Sequence, residues 1–181
     1  MRVLNGDGKL LLETAGVLRQ SDLSGRALPG AQLDGCDLSG TNLSGCNLDG
    51  AFLMNANLAG ANLSGASLSG VICAGARFDG ANLSDANLYW IAAVGASFLG
   101  AQLIRTACRG AGFAGSDFRG AKLVDVAFGP DGFDAFANIE GADFTGATVE
   151  GTSFAGVQYD DRTRLPNSVD PVLAGMVLIT E

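Results

Sequence analysis

SDLSG RALPG AQLDG CDLSG TNLSG CNLDG, running from Ser21 to Gly50, reads as six consecutive units of five residues with a leucine at the centre of each. Working outward, the frame holds through Phe133, is shifted by a single extra residue between Asp134 and Phe136, and resumes as ANIEG ADFTG ATVEG TSFAG VQYDD as far as Asp161. This gives 28 units, centred from Leu23 to Tyr159, and 22 of the centres are Leu or Phe. Two positions before the centre stands Ala in 15 units and Ser, Thr or Cys in seven, while 20 of the 27 glycines fall two positions after a centre. Large, small and turn-permitting residues each have a fixed place.

A period of five with two apolar positions matches neither the helical period of about 3.6 nor the strand period of 2. The chain must turn in every unit. Gly at the end of the unit supplies the positive φ that a tight turn needs, and Asn, Asp or Ser beside the centre can face water or bond local backbone. The centre and the small residue before it point inward, and stacked coils satisfy each other's backbone groups.

Units such as Ala56 to Gly60 (ANLAG), Ala61 to Gly65 (ANLSG) and Ala81 to Asp85 (ANLSD) resemble the pentapeptide-repeat family over residues 21 to 161. The resemblance implies an all-β fold, a right-handed quadrilateral β-helix (solenoid) with one unit per side. The 28 units would make seven coils, and the rod would be roughly 34 Å long at the usual strand spacing. Residues 1–20 are then an N-terminal cap, 21–161 the repeat body, and 162–181 a C-terminal cap or dimerisation segment. KLLLETA, Lys9 to Ala15, reads as a short helix stopped by Gly16, although Asn5 to Gly8 could instead turn a hairpin. Asp170 and Pro171 could begin a second helix through PVLAGMVLITE, whose apolar residues would cover the last coil or meet a second copy to form a homodimer.

Departures from the pattern are few. Ile91 with Ala93, and Val71 with Cys73, exchange the large and small inward positions and so conserve volume. Arg26 and Asp131 stand where a small inward residue belongs, and Pro130 with the frame shift marks a bulge. Cys36, Cys46, Cys73 and Cys108 all fall at inward positions and read as small buried hydrophobes, with neither a disulfide nor a zinc spacing among them. Free thiols suit a reducing cytoplasm, and the first twenty residues lack the apolar run of a signal peptide or membrane span.

No histidine occurs, no phosphate-loop motif occurs, and the solid rod leaves no cleft in which carboxylates could be desolvated. No catalytic residue, metal or cofactor is expected, and the chain reads as a non-enzymatic protein whose partner is another protein. On the third side, counted from Leu23, an apolar stripe contains Phe52, Met54, Ile72 and Val94, with Tyr89 and Trp90 on the adjoining side, a composition suited to a protein interface. A net charge of -8 and a pI near 4.3 repel phosphate, so nucleic acid is not expected as a direct partner. Acids gather towards the C-terminal end, among them Asp143, Glu150, Asp160 and Asp161, behind a belt of Arg105, Arg109, Arg119 and Lys122. The family resemblance therefore implies an alternative, since some members mimic duplex DNA and bind DNA gyrase. The uneven charge and the lack of long loop insertions fit that reading only in part.

Overall fold

The computed structural model describes residues 2–13, 17–129 and 136–180. Its organisation is set by parallel bridges that recur every 20 residues: Asp22 to Asn42 to Asn62 to Asn82, Ala27 to Asn47 to Ser67 to Asn87, Gln32 to Phe52 to Ile72 to Ala92, and Asp37 to Asn57 to Arg77 to Ser97. Four ladders with one period mean four sides per coil. We number them faces 1 to 4, beginning at the centres Leu23, Leu28, Leu33 and Leu38.

One unit shows why the repeat has its composition. In Ala61–Gly65 the Ala61 amide donates to the Leu58 carbonyl at 3.0 Å, closing the corner. The Asn62 amide reaches back to Thr41, and those of Leu63 and Gly65 reach forward to Asn82 and Ser84. That leaves the Ser64 amide, which donates to Oδ1 of Asn62 at 3.2 Å. Four amides are thus satisfied by backbone and the fifth by an Asn or Asp side chain, an Asx turn. The same bond recurs at Asp22, Asp37, Asn42, Asn47, Asn57 and Asn82. Corner glycines such as Gly65 have φ near 64°. Where the corner residue is not glycine, as at Asp85, Arg105 and Asp125, φ is still positive. Arg105 holds this column together by a two-pronged ion pair with Asp85 at 2.7 Å.

The core is a solid column of centres and small residues. Its first coils are lined by leucine, and from Phe78 onward phenylalanine joins it. On face 4 the rings of Phe78, Phe98, Phe118 and Phe144 stack in near-parallel succession at 4.8, 4.7 and 4.7 Å, and Phe113 meets Phe98 and Phe118 edge-on. The three fully buried hydroxyls at the small inward position use the same kind of partner. Thr41, Thr106 and Ser116 donate to the carbonyls of Leu18, Leu83 and Ala93, each 23 residues earlier, on the second lone pair of an oxygen that already closes a corner. The exchanged pairs Val71 with Cys73 and Ile91 with Ala93 are fully buried, as volume conservation predicts. Arg26 is exposed.

One coil is longer than expected. Beyond Ala107 the ladder step is 26 residues on all four faces, from Gly112 to Asn138, Asp117 to Asp143, Lys122 to Thr148 and Ala127 to Ser153. The spacing predicted one extra residue, whereas six are added. A detour of one unit plus one residue is invisible to a count in fives, because Phe133 keeps step with Phe128 and passes for another centre. Pro130, Asp131, Phe133 and Asp134 themselves lie outside the described residues.

Both ends close without the expected helices. Strands β1 (Arg2–Leu4) and β2 (Leu10–Glu13) form an antiparallel hairpin, which is the alternative that Asn5 to Gly8 offered. Oδ1 of Asn5 accepts from the Asp7 and Lys9 amides, Gly8 takes φ 77°, and Leu4 receives the Gln32 amide, so the hairpin seats on face 3 of the first coil. Residues 14–16 lie outside the described range. The coil already contains Leu18, which is buried, and Gln20, whose amide bonds Ser39. Strands β3 (Gln102–Ile104), β4 (Lys122–Val124) and β5 (Thr148–Glu150) run parallel on face 1.

At the other end the Arg164 amide still bonds Ala142. Asp170 then caps the amides of Val172 and Leu173 as a helix N-cap would, but Gly175 at φ 69° stops the chain after one turn. It continues as β7 (Val177–Leu178), which adds in parallel to β6 (Gln158–Tyr159) on face 3. Val172 and Leu173 are left 80% and 87% exposed.

Asp160 fastens this end. Its carboxylate accepts from the Gly141 amide at 2.7 Å, the Thr163 hydroxyl at 2.8 Å, and the amide and Nε of Arg162 at 3.2 and 2.7 Å. Burial pushes the carboxyl up, but the bonds from Thr163, Gly141 and Arg162 more than offset it and hold the group well below the usual carboxylate range. A depressed native pKa stabilises the fold fully above the unfolded value, about 3.9, and that contribution is lost as pH falls below it. Asp160→Asn is expected to cost about 1–3 kcal/mol at neutral pH and to flatten the acid limb of a urea-denaturation series. Phe98→Ala, which interrupts the ring stack on both sides, is expected to cost about 3–5 kcal/mol in the same assay.

Candidate interaction surface

Face 3 has the longest run of coils without Asn or Asp before the centre; faces 1 and 2 lose it later, at Gln102, Lys122 and Thr148 and at Ala107, Ala127 and Ser153. On face 3 the residue at this position is Phe52, Ile72, Ala92 and Gly112 in four successive coils. The residue after each centre is Met54, Ala74, Val94 and Ala114. Oδ1 of Asp34, one coil earlier, takes over the Met54 amide at 2.7 Å. The amides of Ala74, Val94 and Ala114 find no acceptor among the described residues. The face has given up a repeated hydrogen bond and carries apolar side chains in its place. Ile72 is 38% and Val94 53% exposed, Met54 is exposed and Phe52 half-buried, so no described segment covers the stripe.

The edge of the stripe is aromatic. Trp90 occupies the corner between faces 2 and 3 with φ 57° and is 51% exposed. Its indole lies over Gly110 in the next coil, 3.3 Å from where a Cβ would stand, so glycine at 110 makes room for the ring. Tyr89, half-buried on face 2, has its amide held by Asn87. Phe52, Met54, Ile72, Val94 and Trp90 are thus brought together on and beside one face, with Tyr89 just round the corner. Towards the C-terminal end the floor falls to Ala114, Gly115 and Gly141, and a hollow of about 370 Å³ opens there between Val94, Glu140 and Arg162.

The acidic candidates are not brought together. Asp143 lies on face 4 beside Arg164 at 3.5 Å, Glu150 ends β5 on face 1, and Asp161 follows face 3. Asp160 is buried and spent on its own coil. The preceding basic belt is partly neutralised, since Arg105 pairs with Asp85 and Arg119 with Asp117, each at 2.7 Å. These pairs escaped the linear reading because their partners are either two residues away or one whole coil away.

No disulfide links the four cysteines. Cys46, Cys73 and Cys108 are buried, while Cys36, expected inside, is half-buried in the first coil. Burial alone pushes the Cys73 thiol up to about 12 and the Cys108 thiol well above its ordinary value, so neither is a nucleophile near neutrality. Among the described residues no group of three or more His, Cys, Asp or Glu side chains is placed to hold a metal ion, and no helix is long and apolar enough to cross a membrane.

No curated protein sequence matches the chain. HetL, a pentapeptide-repeat protein involved in heterocyst differentiation regulation from the cyanobacterium Nostoc sp. strain PCC 7120, superposes with a TM-score of 0.74 at 25% identity, covering 88% of this chain and 68% of HetL. QnrB1, a plasmid-mediated fluoroquinolone resistance protein, superposes with a TM-score of 0.56 at 18% identity, covering 82% of this chain and 79% of QnrB1, which is a likeness of fold alone. These likenesses imply the right-handed coil expected from the repeat. The family model for pentapeptide repeats matches in eight copies, including residues 17–55, 36–72 and 56–91. Repeat, coil and structural likeness agree, and the chain belongs to the pentapeptide-repeat family.

Proposed function

We propose that this protein is a non-enzymatic scaffold or regulator that binds another protein through face 3, in the reducing cytoplasm that its unpaired cysteines suit. The observation that carries this reading is the loss of the Asx residue in four successive coils of one face, replaced by Phe52, Ile72, Ala92 and Gly112. Each replacement gives up the turn bond that Asn or Asp makes in units such as Ala61–Gly65, and the exposed apolar surface that results is of the kind that marks protein interfaces. The likeness to HetL, whose known involvement is in regulation of differentiation, supports a regulatory role over a structural one.

The alternative is a DNA-mimicking protein that binds gyrase, and the fold of QnrB1 is its support. Charge speaks against it. A duplex mimic needs acids in an exposed row, whereas here Asp143, Glu150 and Asp161 stand on or beside three different faces and Asp160 is buried.

The double variant Phe52→Asp, Ile72→Asp is expected to keep the thermal melt and circular dichroism of the parent while losing a protein that the parent retains from lysate. Identical retained proteins from parent and variant would overturn the reading. In a gyrase supercoiling assay with and without a quinolone, the purified protein is expected to have no effect up to a large excess, and inhibition or drug protection at low concentration would put the alternative first.

A further inference from the structure

Resting on that reading, we infer that the partner of face 3 is a segment of another protein, apolar along one side and basic at both ends, and that it is not a second copy of this chain. Along the column of residues that follow the centres, successive coils place Asp34, Met54, Ala74, Val94, Ala114 and Glu140, joined step by step through backbone bonds. The apolar centre is therefore bracketed by a carboxylate at each end. Asp34 is exposed, and beyond Glu140 stands the exposed Asp161, while the nearby Arg162 is paired with the buried Asp160. Five steps at the usual strand spacing separate Asp34 from Glu140 by about 24 Å.

Charge decides between the occupants. A second copy laid on face 3 about a twofold axis would set either Asp34 against Glu140 and Asp161, or each of these against itself. Both arrangements oppose like charges across a surface that excludes water, which costs affinity and works against self-association. A segment with cations at its ends and apolar side chains between them meets complementary groups along its whole length. A helix of about 16 residues spans the distance. The hollow between Val94, Ala114, Glu140 and Arg162 takes a long basic side chain, its stem on the alanine floor and its head at the Glu140 carboxylate, because the Arg162 charge on its far wall is met by Asp160. The amides of Ala74, Val94 and Ala114 add a second demand, because covering them without an acceptor would leave three donors unpaired. The fitting segment therefore also brings hydroxyl or amide oxygens among its apolar residues.

The test uses the full chain and Trp90, its single tryptophan, as the reporter at the edge of the face. The probes are two synthetic amphipathic peptides of about 16 residues, leucine and serine along one side, one ending in lysines and the other in glutamates. The control is the variant Ile72→Asn, Ala92→Asn, which restores the repeat's own Asx residue on face 3 and so is expected to fold at least as stably as the parent. The lysine-ended peptide should shift Trp90 emission saturably, roughly ten-fold more tightly than the glutamate-ended one, and the variant should lose the shift. Equal binding of both peptides, lost in the variant, would overturn the charge inference and leave face 3 as the docking face. Binding that the variant retains, or no binding of either peptide, would overturn both. A parent that light scattering shows to be a dimer, and that the variant converts to a monomer, would make the second copy the occupant and overturn the inference.

Discussion

The fifth amide of each unit governs this structure. A coil that turns every five residues can pair four of its backbone donors with other backbone, but the donor after the centre points where no carbonyl lies. Asn62 shows the economical answer, a side-chain oxygen two residues back. Once that bond is required, Asn or Asp before the centre, a small residue before that and a left-handed corner after it follow from geometry. Proline offers a second answer, used at Pro29, where the residue before the centre is Ala27 and there is no donor to satisfy.

This constraint makes the surface legible in a way that the core is not. Leu, Phe and Ala inside the rod report only volume, and the shift from leucine to stacked phenylalanine along face 4 changes how the column is filled without changing its outline. A position that abandons Asx does report something, because stability alone would favour keeping it. On face 1 the rule is obeyed at Asp22, Asn42, Asn62 and Asn82, whose side chains also bond one another from coil to coil, and it lapses at Gln102, Lys122 and Thr148, which are polar or charged. On face 3 it is abandoned in four coils running, and nowhere else does the loss coincide with Phe and Ile at the surface.

Much of this could be read from the chain itself. The period of five, the inward positions and the grouping of Phe52, Met54, Ile72 and Val94 on one side are consequences of counting, and counting survives as long as the frame does. Three things were hidden. The hairpin at Leu10–Glu13 and the single turn at Asp170–Gly175 both carry helical signals, but strand pairing wins over local propensity at both ends. The six-residue detour was disguised by its own length. The use of Asp160 inside the last coil depends on Thr163 and Gly141, whose approach no linear distance announces.

The detour itself has a broader meaning. After it, Asn138, Asp143, Thr148 and Ser153 each find the neighbour that an uninterrupted coil would have given them, and the next step from Asn138 to Gln158 is again 20 residues. Registration is therefore local, since each turn of the rod is templated by the turn before it and retains no memory of how much chain intervened. Such tolerance marks a natural point of insertion. Between Gly129 and Phe136 the scaffold already accommodates foreign length, so a loop or small domain grafted there would be carried on a rigid shaft whose remaining turns need not change.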